Sequence, residues 1–353
     1  MRFTVFHLMQ APDWLADADV YRNEIELMLL AEELGFDAVW VAEHHFFHYC
    51  IDPDPLILAT HIAARTSRIR IGSAANILTL THPLRVAEQA AMLDILSQGR
   101  LDVGFAKGYG PREFAGYGVD LRDADDRFHE ALEIVMRAWT EPGFSFEGKH
   151  FQIPPSTLRP RPLTQPHPRA FIATTGNVKT LEAAARYCIP FYVGYRGRAH
   201  FAGLKNTYAE LAKAAGHDGE AIDAALRDVA VMMTSYIAPT DQESFDEARS
   251  GVNWMSDSVD AVNVPEDLDR WPKEQREHIL ATFQKPDRGY RDYDGYWNAF
   301  AYGGPERGIE RIQRLRDAGI EHVLLGFSFG GLPYDKVRRS MELFAREVMP
   351  RFK

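Results

Sequence analysis

The sequence has only two cysteines, Cys50 and Cys188, among 353 residues. Two thiols so far apart provide neither a disulfide framework nor metal-ligand spacing, and they are typical of a protein from a reducing cytosol. Lys and Arg form no long run and the formal net charge is -10, which argues against a basic face for nucleic acid or anionic membranes. No apolar run approaches membrane-spanning length, and the first residues lack a secretory pattern. We therefore expect a cytoplasmic protein that binds neither nucleic acid nor membrane.

The composition predicts a large folded core, because hydrophobic residues make up 46% of the chain and charged residues 25%. Such a composition excludes a disordered chain. The length fits either two average domains or one large α/β barrel.

One pattern occurs three times: a helix end, a glycine suited to a left-handed cap, and a strand rich in Val and Leu. It is written EELGFDAVWV, SQGRLDVGF and DAGIEHVLLGF. Repeated units of this kind predict a parallel sheet with helical crossovers. The eight predicted strands are Phe3–Leu8, a strand starting at Ala38, Ile69–Ala75, Leu101–Ala106, Ala170–Thr174, Phe191–Gly194, Val229–Ile237 and His322–Phe327. The intervening helices are predicted at Val20–Leu34, Pro55–Thr66, Pro83–Ser97, Ala124–Trp139, Val178–Tyr187, Ala199–Ala215 and Glu306–Ala318. Eight alternations of strand and helix predict a (β/α)8 TIM barrel, a single α/β domain that spans residues 1–353. They favour this barrel more than a doubly wound open sheet.

A long insertion, Pro239–Gly304, separates the seventh strand from the last predicted helix. It holds 14 acidic residues against 7 basic ones. Its aromatic residues include Trp254, Trp271, Trp297, Tyr290, Tyr293 and Tyr296. An insertion at this place in a barrel predicts a lid over the active site. The alternative is a solvated helical insertion that closes nothing.

The strand that starts at Ala38 runs directly into Glu43-His44-His45, and in parallel barrels the chemistry gathers at the carboxyl ends of strands. Histidines beside a carboxylate are candidates for proton handling or for metal binding. Adjacent residues of an extended strand point to opposite sides, so the two imidazoles cannot share one metal ion without distortion. The same alternation predicts that His44 faces the site and that His45 has a structural role. A satisfied histidine pair at the rim of the core is the alternative.

Two other strand ends have the groups that a phosphate needs. Lys107 with Gly108 supplies a cation beside accessible backbone, and Thr174-Thr175-Gly176-Asn177 leads into a helix N-terminus. The second stretch is also an ordinary helix-capping sequence.

Several segments together resemble a known family. They are AEHHF at 42–46, IGSAANIL at 71–78, the long run from His82 to Phe114, and DDRFHEALEIV at 125–135. The chain resembles the bacterial luciferase-like flavin-dependent monooxygenases over nearly all of its length outside Pro239–Gly304, and most of all the alkanal monooxygenase catalytic subunit.

The resemblance implies an enzyme that uses reduced FMN and O2, through a flavin C4a-hydroperoxide, to oxygenate a small and largely apolar organic substrate. His44 matches the family's catalytic histidine, and we expect Glu43 or a neighbouring backbone group to fix its tautomer. Phe46, Phe47, Tyr109 and lid aromatics are expected to form an apolar substrate wall. The flavin-binding residues implied by the resemblance are Ala74 and Ala75, joined by a cis peptide bond against the ring, and Lys107, Tyr109, Arg127, Thr174, Thr175, Gly176 and Thr180 around the phosphate.

The resemblance also implies partners. GYGPREF lacks the third glycine of a dinucleotide fingerprint, so a separate flavin reductase is expected to supply reduced flavin. The family forms dimers, and we expect a homodimer through the second and third helices, which carry small and apolar residues on more than one face: Leu56, Ile57, Ala59, Ile62, Ala63, Ala87, Ala90 and Ala91.

Three departures from the luciferase catalytic subunit matter. Ala106 replaces its reactive cysteine, and Thr174-Thr175 replaces a Glu-Ser pair. Lys107 replaces an arginine, so the positive charge is kept but the two parallel hydrogen bonds of a guanidinium are lost. Flavin binding remains expected, whereas light emission and aldehyde specificity do not follow. The alternatives are hydride transfer with the deazaflavin F420 on the same barrel, and a non-catalytic flavin-binding protein.

Overall fold

The computed structural model describes residues 1–265, 267–282, 295, 297 and 300–353. Three aromatic residues of the expected lid, Tyr290, Tyr293 and Tyr296, lie outside the described residues.

Twelve strands are present among the described residues. In chain order they are β1 Arg2–His7, β2 Ala38–Val41, β3 Arg70–Ser73, β4 Asn76–Ile77, β5 Leu101–Ala106, β6 Phe144–Glu147, β7 Gln152–Ser156, β8 Arg169–Thr174, β9 Phe191–Gly194, β10 Ala230–Ile237, β11 Ala301–Gly303 and β12 His322–Gly326. Eight of them pair in parallel in the order β1, β2, β3, β5, β8, β9, β10, β12, and β12 returns to β1. The predicted eight-stranded TIM barrel is confirmed.

Helices surround this barrel. They are α1 Asp17–Leu34, α2 Pro55–Arg65, α3 Pro83–Leu96, α4 Pro111–Gly116, α5 Ala124–Thr140, α6 Val178–Arg186, α7 Arg198–Ala214, α8 Gly219–Asp228, α9 Asp241–Asn263, α10 Lys273–Thr282, α11 Pro305–Asp317 and α12 Tyr334–Leu343. The sequence patterns did not indicate α12, which follows the eighth barrel strand. Its ten residues bury only Val337, Ser340 and Met341, so its apolar stripe is too narrow to stand out.

The lower interior of the barrel, called the floor here, is filled by Trp40. Its ring lies 4.6 Å from the ring of Phe171, 5.7 Å from that of Tyr192 and 5.4 Å from that of His322, measured between centroids. Gly72 makes room for it, since a Cβ there would lie 2.5 Å from Trp40 Cδ1. The floor is therefore a packed core and not a channel.

The polar groups of the floor are paired. The Trp40 Nε1–H donates to Asp102 Oδ2 at 3.3 Å, and His322 Nε2 lies 2.8 Å from Thr4 Oγ1. Burial lowers the pKa of His322 to about 3, so its imidazole is neutral at physiological pH.

The insertion Pro239–Gly304 begins with the 23-residue helix α9 and ends with β11, which pairs in parallel with β10. α9 packs tightly on the loop after β12, because a Cβ on Gly330 would lie 2.0 Å from the carbonyl oxygen of Gly251. Further along α9, the ring of Trp254 lies 5.2 Å from that of His48 in the loop after β2. This helix therefore connects loops from two strands that are not neighbours in the barrel.

None of the helices within the described residues is both long enough and apolar enough to cross a membrane.

Candidate active site

His44 lies at the barrel mouth, three residues after β2 ends at Val41. Its Nδ1 lies 2.8 Å from Glu113 Oε1, and the same carboxylate oxygen accepts the backbone N–H of His45 at 3.0 Å. Glu113 lies in the first turn of the short helix α4 and is buried. Since a carboxylate oxygen can only accept, His44 Nδ1 carries the proton of this hydrogen bond. The expectation that Glu43 or a backbone group fixes the His44 tautomer is wrong, because Glu113 holds Nδ1.

Glu43 instead belongs to His45. His45 Nε2 lies 2.9 Å from Glu43 Oε1, while the other carboxylate oxygen accepts the backbone N–H of Ile77 at 3.0 Å. The hydroxyl of Tyr117 lies 3.2 Å from His45 Nδ1. Burial raises the pKa of Glu43 above its usual value, although its hydrogen bonds oppose this. Both imidazole nitrogens of His45 are thus engaged in hydrogen bonds within the protein, which is typical of a structural role. Strand alternation is not the reason, since both histidines lie beyond the strand.

Glu113 has a second feature. Its Oε2 is buried and has no hydrogen-bond partner among the described residues. A Cβ on Gly110 would lie 2.5 Å from this oxygen, so a residue larger than glycine at 110 would displace the carboxylate. An unpaired buried acceptor is costly, and such groups concentrate at functional sites.

A small cleft opens beside this pair. His44, Phe47 and Glu113 line it from the barrel, and Val262 of α9 lines it from the insertion. Tyr109 is partly exposed, and its ring lies edge-to-face with His44 at 5.6 Å. The structure therefore places Tyr109 against the histidine.

Small side chains form the neighbouring strand end. The peptide bond between Ala74 and Ala75 is cis, as the resemblance implies. Both alanines are buried, and Gly104 of β5 lies so close that a Cβ there would be 2.2 Å from the carbonyl oxygen of Ser73. This strand end is thus closely packed and has no side chain larger than a methyl group at positions 74 and 75.

The predicted phosphate cation Lys107 forms part of an ion cluster, called the lysine clamp here and made of Lys107, Asp125 and Lys179. Lys107 Nζ lies 2.7 Å from Asp125 Oδ1, and Lys179 Nζ lies 3.1 Å from Asp125 Oδ2. Sequence reasoning missed both Asp125 and Lys179. Arg127 is held differently: its Nε donates to the carbonyl oxygen of Thr79 at 2.6 Å, and its guanidinium lies 4.8 Å from the centre of the Phe151 ring.

The loop before α6 has the capping geometry that was the alternative to phosphate binding. Thr174 Oγ1 accepts the N–H of Gly176 at 3.0 Å, and Asn177 caps α6 by accepting the N–H of Lys179 at 2.9 Å. Thr175 is exposed, whereas Thr180 is buried in the helix. Capping does not prevent anion binding, because Lys179 of the clamp lies in the first turn of the same helix.

Within the parts of the chain that the structure describes, no group of three His, Cys, Asp or Glu side chains is arranged to hold a metal ion.

A closed parallel barrel whose titratable groups gather at the carboxyl ends of its strands is the architecture of an enzyme. Residues 1–322 match the model of a family described as luciferase-like monooxygenase. The chain belongs to this family of flavin-dependent oxidoreductases.

Relatives support this assignment along the whole chain. The alkanal monooxygenase alpha chain of Photorhabdus luminescens is 27% identical, over 99% of this chain and 96% of its own length. The oxygenase component of the flavin-dependent trigonelline monooxygenase of Acinetobacter baylyi is 25% identical, over 100% and 96%.

Solved structures agree with these matches. The crystal structure of monooxygenase RslO1 from Streptomyces bottropensis superposes with a TM-score of 0.83 at 28% identity, covering 100% of both chains. An F420-dependent secondary alcohol dehydrogenase superposes with a TM-score of 0.74 at 19% identity, covering 100% of this chain and 99% of its own. At that identity the second match shows the fold alone.

Proposed function

We propose that this protein is the oxygenase of a two-component system that uses reduced FMN and O2 to oxygenate a small, largely apolar organic substrate. The observation that carries the proposal is the pair of half-buried His44 and buried Glu113 beside a cleft at the barrel mouth. It lies at the same end of the barrel as the lysine clamp, because Lys107 and Tyr109 follow the same strand and Tyr109 contacts His44.

The residues present fit a flavin mononucleotide. Ala74 and Ala75 offer a flat surface of backbone and methyl groups for the ring, while Lys107 and Lys179 offer two cations for the phosphate. When bound and reduced, the flavin supplies the electrons that activate O2.

His44 is the proton-handling residue in this proposal. Glu113 accepts from Nδ1, so Nε2 is the ring atom that gives or takes a proton at the substrate. The carboxylate stabilises the imidazolium that forms when Nε2 is protonated, and it holds the ring at a fixed angle. Phe47 and Val262 line the cleft with apolar surface, which excludes water and favours an apolar substrate.

The insertion Pro239–Gly304 acts as a lid in this proposal. Val262 of α9 lines the cleft. Asp267 pairs at 2.8 Å with Arg112 of α4, the residue before Glu113 in the chain. The expected lid residue Trp254 packs on His48 of the loop after β2. These contacts hold the insertion against the loops that carry the site.

A separate reductase delivers the reduced flavin in this proposal, since the sequence has no dinucleotide fingerprint of its own. The relative from Acinetobacter baylyi, named as an oxygenase component, supports this division. The two free thiols, Cys50 and Cys188, are consistent with a cytoplasmic location.

The homodimer is proposed through α2 and α3, but of the residues that suggested it only Ile57 is exposed. Ala59, Ile62, Ala87, Ala90 and Ala91 are buried within the chain itself.

The apolar side chains that α2 and α3 expose are Ile57, Met92, Ile95 and Leu96. Such a patch is typical of a subunit interface. Sedimentation of Leu96→Glu should then show a monomer where the unaltered protein sediments as a dimer.

The activity test combines the protein with a generic flavin reductase, FMN and panels of aldehydes, alkyl ketones, sulfonates and aromatic acids. Oxygenation predicts substrate-dependent O2 uptake and incorporation of label from ¹⁸O2 into product. His44→Ala should lose about a thousandfold in turnover and keep its FMN affinity. Reduction of F420 without O2 uptake would instead establish the hydride-transfer alternative, and FMN binding without any turnover would establish the non-catalytic one.

A further inference from the structure

The lysine clamp is organised around a carboxylate. Its three side chains come from three different elements: Lys107 from the end of β5, Asp125 from the first turn of α5, and Lys179 from the first turn of α6. Each oxygen of Asp125 receives one ammonium group, at 2.7 and 3.1 Å. Asp125 and Lys107 are each about 30% exposed, at 31% and 29%, so the cluster is open to a ligand from solvent.

Asp125 is ionised in this arrangement. Partial burial alone would raise its pKa, but the hydrogen bonds from Lys107 and Lys179 keep it below the usual value. Two carboxylate oxygens bridging two ammonium groups occupy the positions that two oxygens of a phosphate monoester would take. A phosphate that binds both lysines must therefore displace the Asp125 carboxylate from them.

Arg127 is not equivalent to Lys179 in this respect. Its guanidinium is tied to the carbonyl oxygen of Thr79 and stacks over Phe151, and Thr79 in turn donates to the carbonyl oxygen of Lys107 at 2.7 Å. Arg127 thus braces the segment that carries Lys107, whereas Lys179 shares an anionic partner with it.

We propose that the Asp125 carboxylate competes with the phosphate of the flavin for Lys107 and Lys179, and that Lys179 is the second cation that binds this phosphate. The inference rests on the proposed function for the identity of the ligand. When FMN binds, its phosphate replaces the Asp125 carboxylate on the two lysines. When FMN leaves, the carboxylate pairs with the lysines again. The affinity for FMN is thereby kept low, which suits a flavin that arrives reduced and leaves oxidised in each turnover.

The test is a set of titrations with FMN, with riboflavin, which lacks the phosphate, and with inorganic phosphate. Flavin binding is followed by fluorescence quenching, and phosphate binding by the shift of the unfolding temperature. Asp125→Asn should bind FMN and phosphate about tenfold more tightly, because it removes a like charge from the anion site. Riboflavin affinity should not change.

Asp126→Asn is the matched control, since Asp126 is the next residue, is exposed and pairs with Lys149 instead. It should leave all three affinities unchanged. Lys179→Met should weaken FMN and phosphate about tenfold with riboflavin unchanged, and Lys179→Arg should restore most of the loss. Unfolding temperatures without ligand show that each variant is folded, and Asp125→Ala gives a second test of the same charge.

The outcomes separate this inference from the proposed function. If Asp125→Asn and Asp125→Ala bind FMN and phosphate no better than the unaltered protein, Asp125 merely positions the lysines and the inference is wrong. If neither flavin binds any variant while Asp125→Asn still tightens inorganic phosphate, the flavin assignment fails and the role of Asp125 stands. If Lys179→Met leaves phosphate binding intact, Lys179 is not the second cation.

Discussion

The floor and the mouth of the barrel treat buried polar groups in opposite ways. On the floor, Trp40 and His322 each have a side-chain partner. At the mouth, Glu113 Oε2 and Asp52 Oδ2 are buried with no hydrogen-bond partner among the described residues. Burial lowers the pKa of His322 to about 3 and raises that of Asp52 to about 7. In both side chains, burial disfavours the charged form.

This difference separates stability from chemistry within one barrel. Satisfied groups on the floor hold the strands together, whereas unsatisfied acids at the mouth retain the capacity to bind or to exchange protons. A change on the floor should therefore reduce folding stability without altering ligand binding, whereas removing the charge of Glu113 at the mouth should alter turnover more than stability.

The largest effect is expected on the floor. Trp40→Ala removes the ring that Phe171, Tyr192 and His322 enclose, and it should lower the free energy of unfolding by about 4 kcal/mol. Denaturant titration measures the loss, and FMN titration of the folded fraction should give an unchanged affinity. A weakened FMN affinity with intact stability would show that floor and mouth are not independent.

The next effect concerns the two buried carboxylates that hold histidines. Glu113→Gln keeps the size of the side chain but removes the charge beside His44, and we expect turnover to fall about a hundredfold. Glu43→Gln is the matched control, since Glu43 holds His45. It should mainly lower the unfolding temperature. Equal losses of turnover in both variants would contradict the separate roles of the two histidines.

The pH dependence of stability should have opposite signs at the two ends. His322 is neutral when folded and has a pKa near 6.5 when unfolded, so the unfolded chain binds more protons between pH 6.5 and about 3. Its contribution to stability therefore falls by about 1.4 kcal/mol for each unit of acidification in this range. In His322→Gln the free energy of unfolding, measured from pH 6.5 to 4.5, should fall less steeply.

Asp52 should act in the reverse direction. Its pKa, raised by burial to about 7, exceeds the value of about 3.9 in an unfolded chain. The folded protein therefore binds more protons between these limits, and Asp52 destabilises the fold increasingly as pH rises to about 7. Asp52→Asn should raise the free energy of unfolding at pH 8, measured against the unaltered protein, and should make the acid limb steeper. No gain at pH 8 would mean that Asp52 is ionised at little cost.

The smallest effect is expected at the lid. Arg112→Met removes the pair with Asp267, an ion pair whose side chains are 31% and 40% exposed and which solvent screens. We expect hydrogen peroxide released per O2 consumed to rise about two- to threefold, because the insertion is held less firmly over the cleft. Arg338→Met, which breaks an exposed pair with Glu342 on α12, should leave this ratio unchanged.

The sequence predicted the barrel because its evidence is local. The run Leu101–Ala106 is apolar except for Asp102, and Phe191–Gly194 has no charged residue. Both end at a glycine or a small residue, and the structure has strands with these same bounds. Short α4 was missed, since six residues are too few to show a helical period.

The site was only half predictable for a different reason. His44 and Lys107 are recognisable because their neighbours in the chain form a distinctive segment, but their partners lie far away in sequence. Glu113 is 69 residues from His44, and Lys179 is 54 residues from Asp125. A single sequence contains no information that pairs such residues, and only the folded barrel brings them together.

The short helix α4 has a consequence for how this protein can change over evolution. Arg112, which meets the insertion, and Glu113, which meets His44, are adjacent on one helical turn. Inserting one residue between Arg112 and Glu113 would rotate one side chain relative to the other by about 100° about the helix axis and shift it by about 1.5 Å. The helix would then no longer make both contacts at once. Engineered libraries for new substrates should therefore vary the side chains that face the cleft and keep the residue count of α4 fixed.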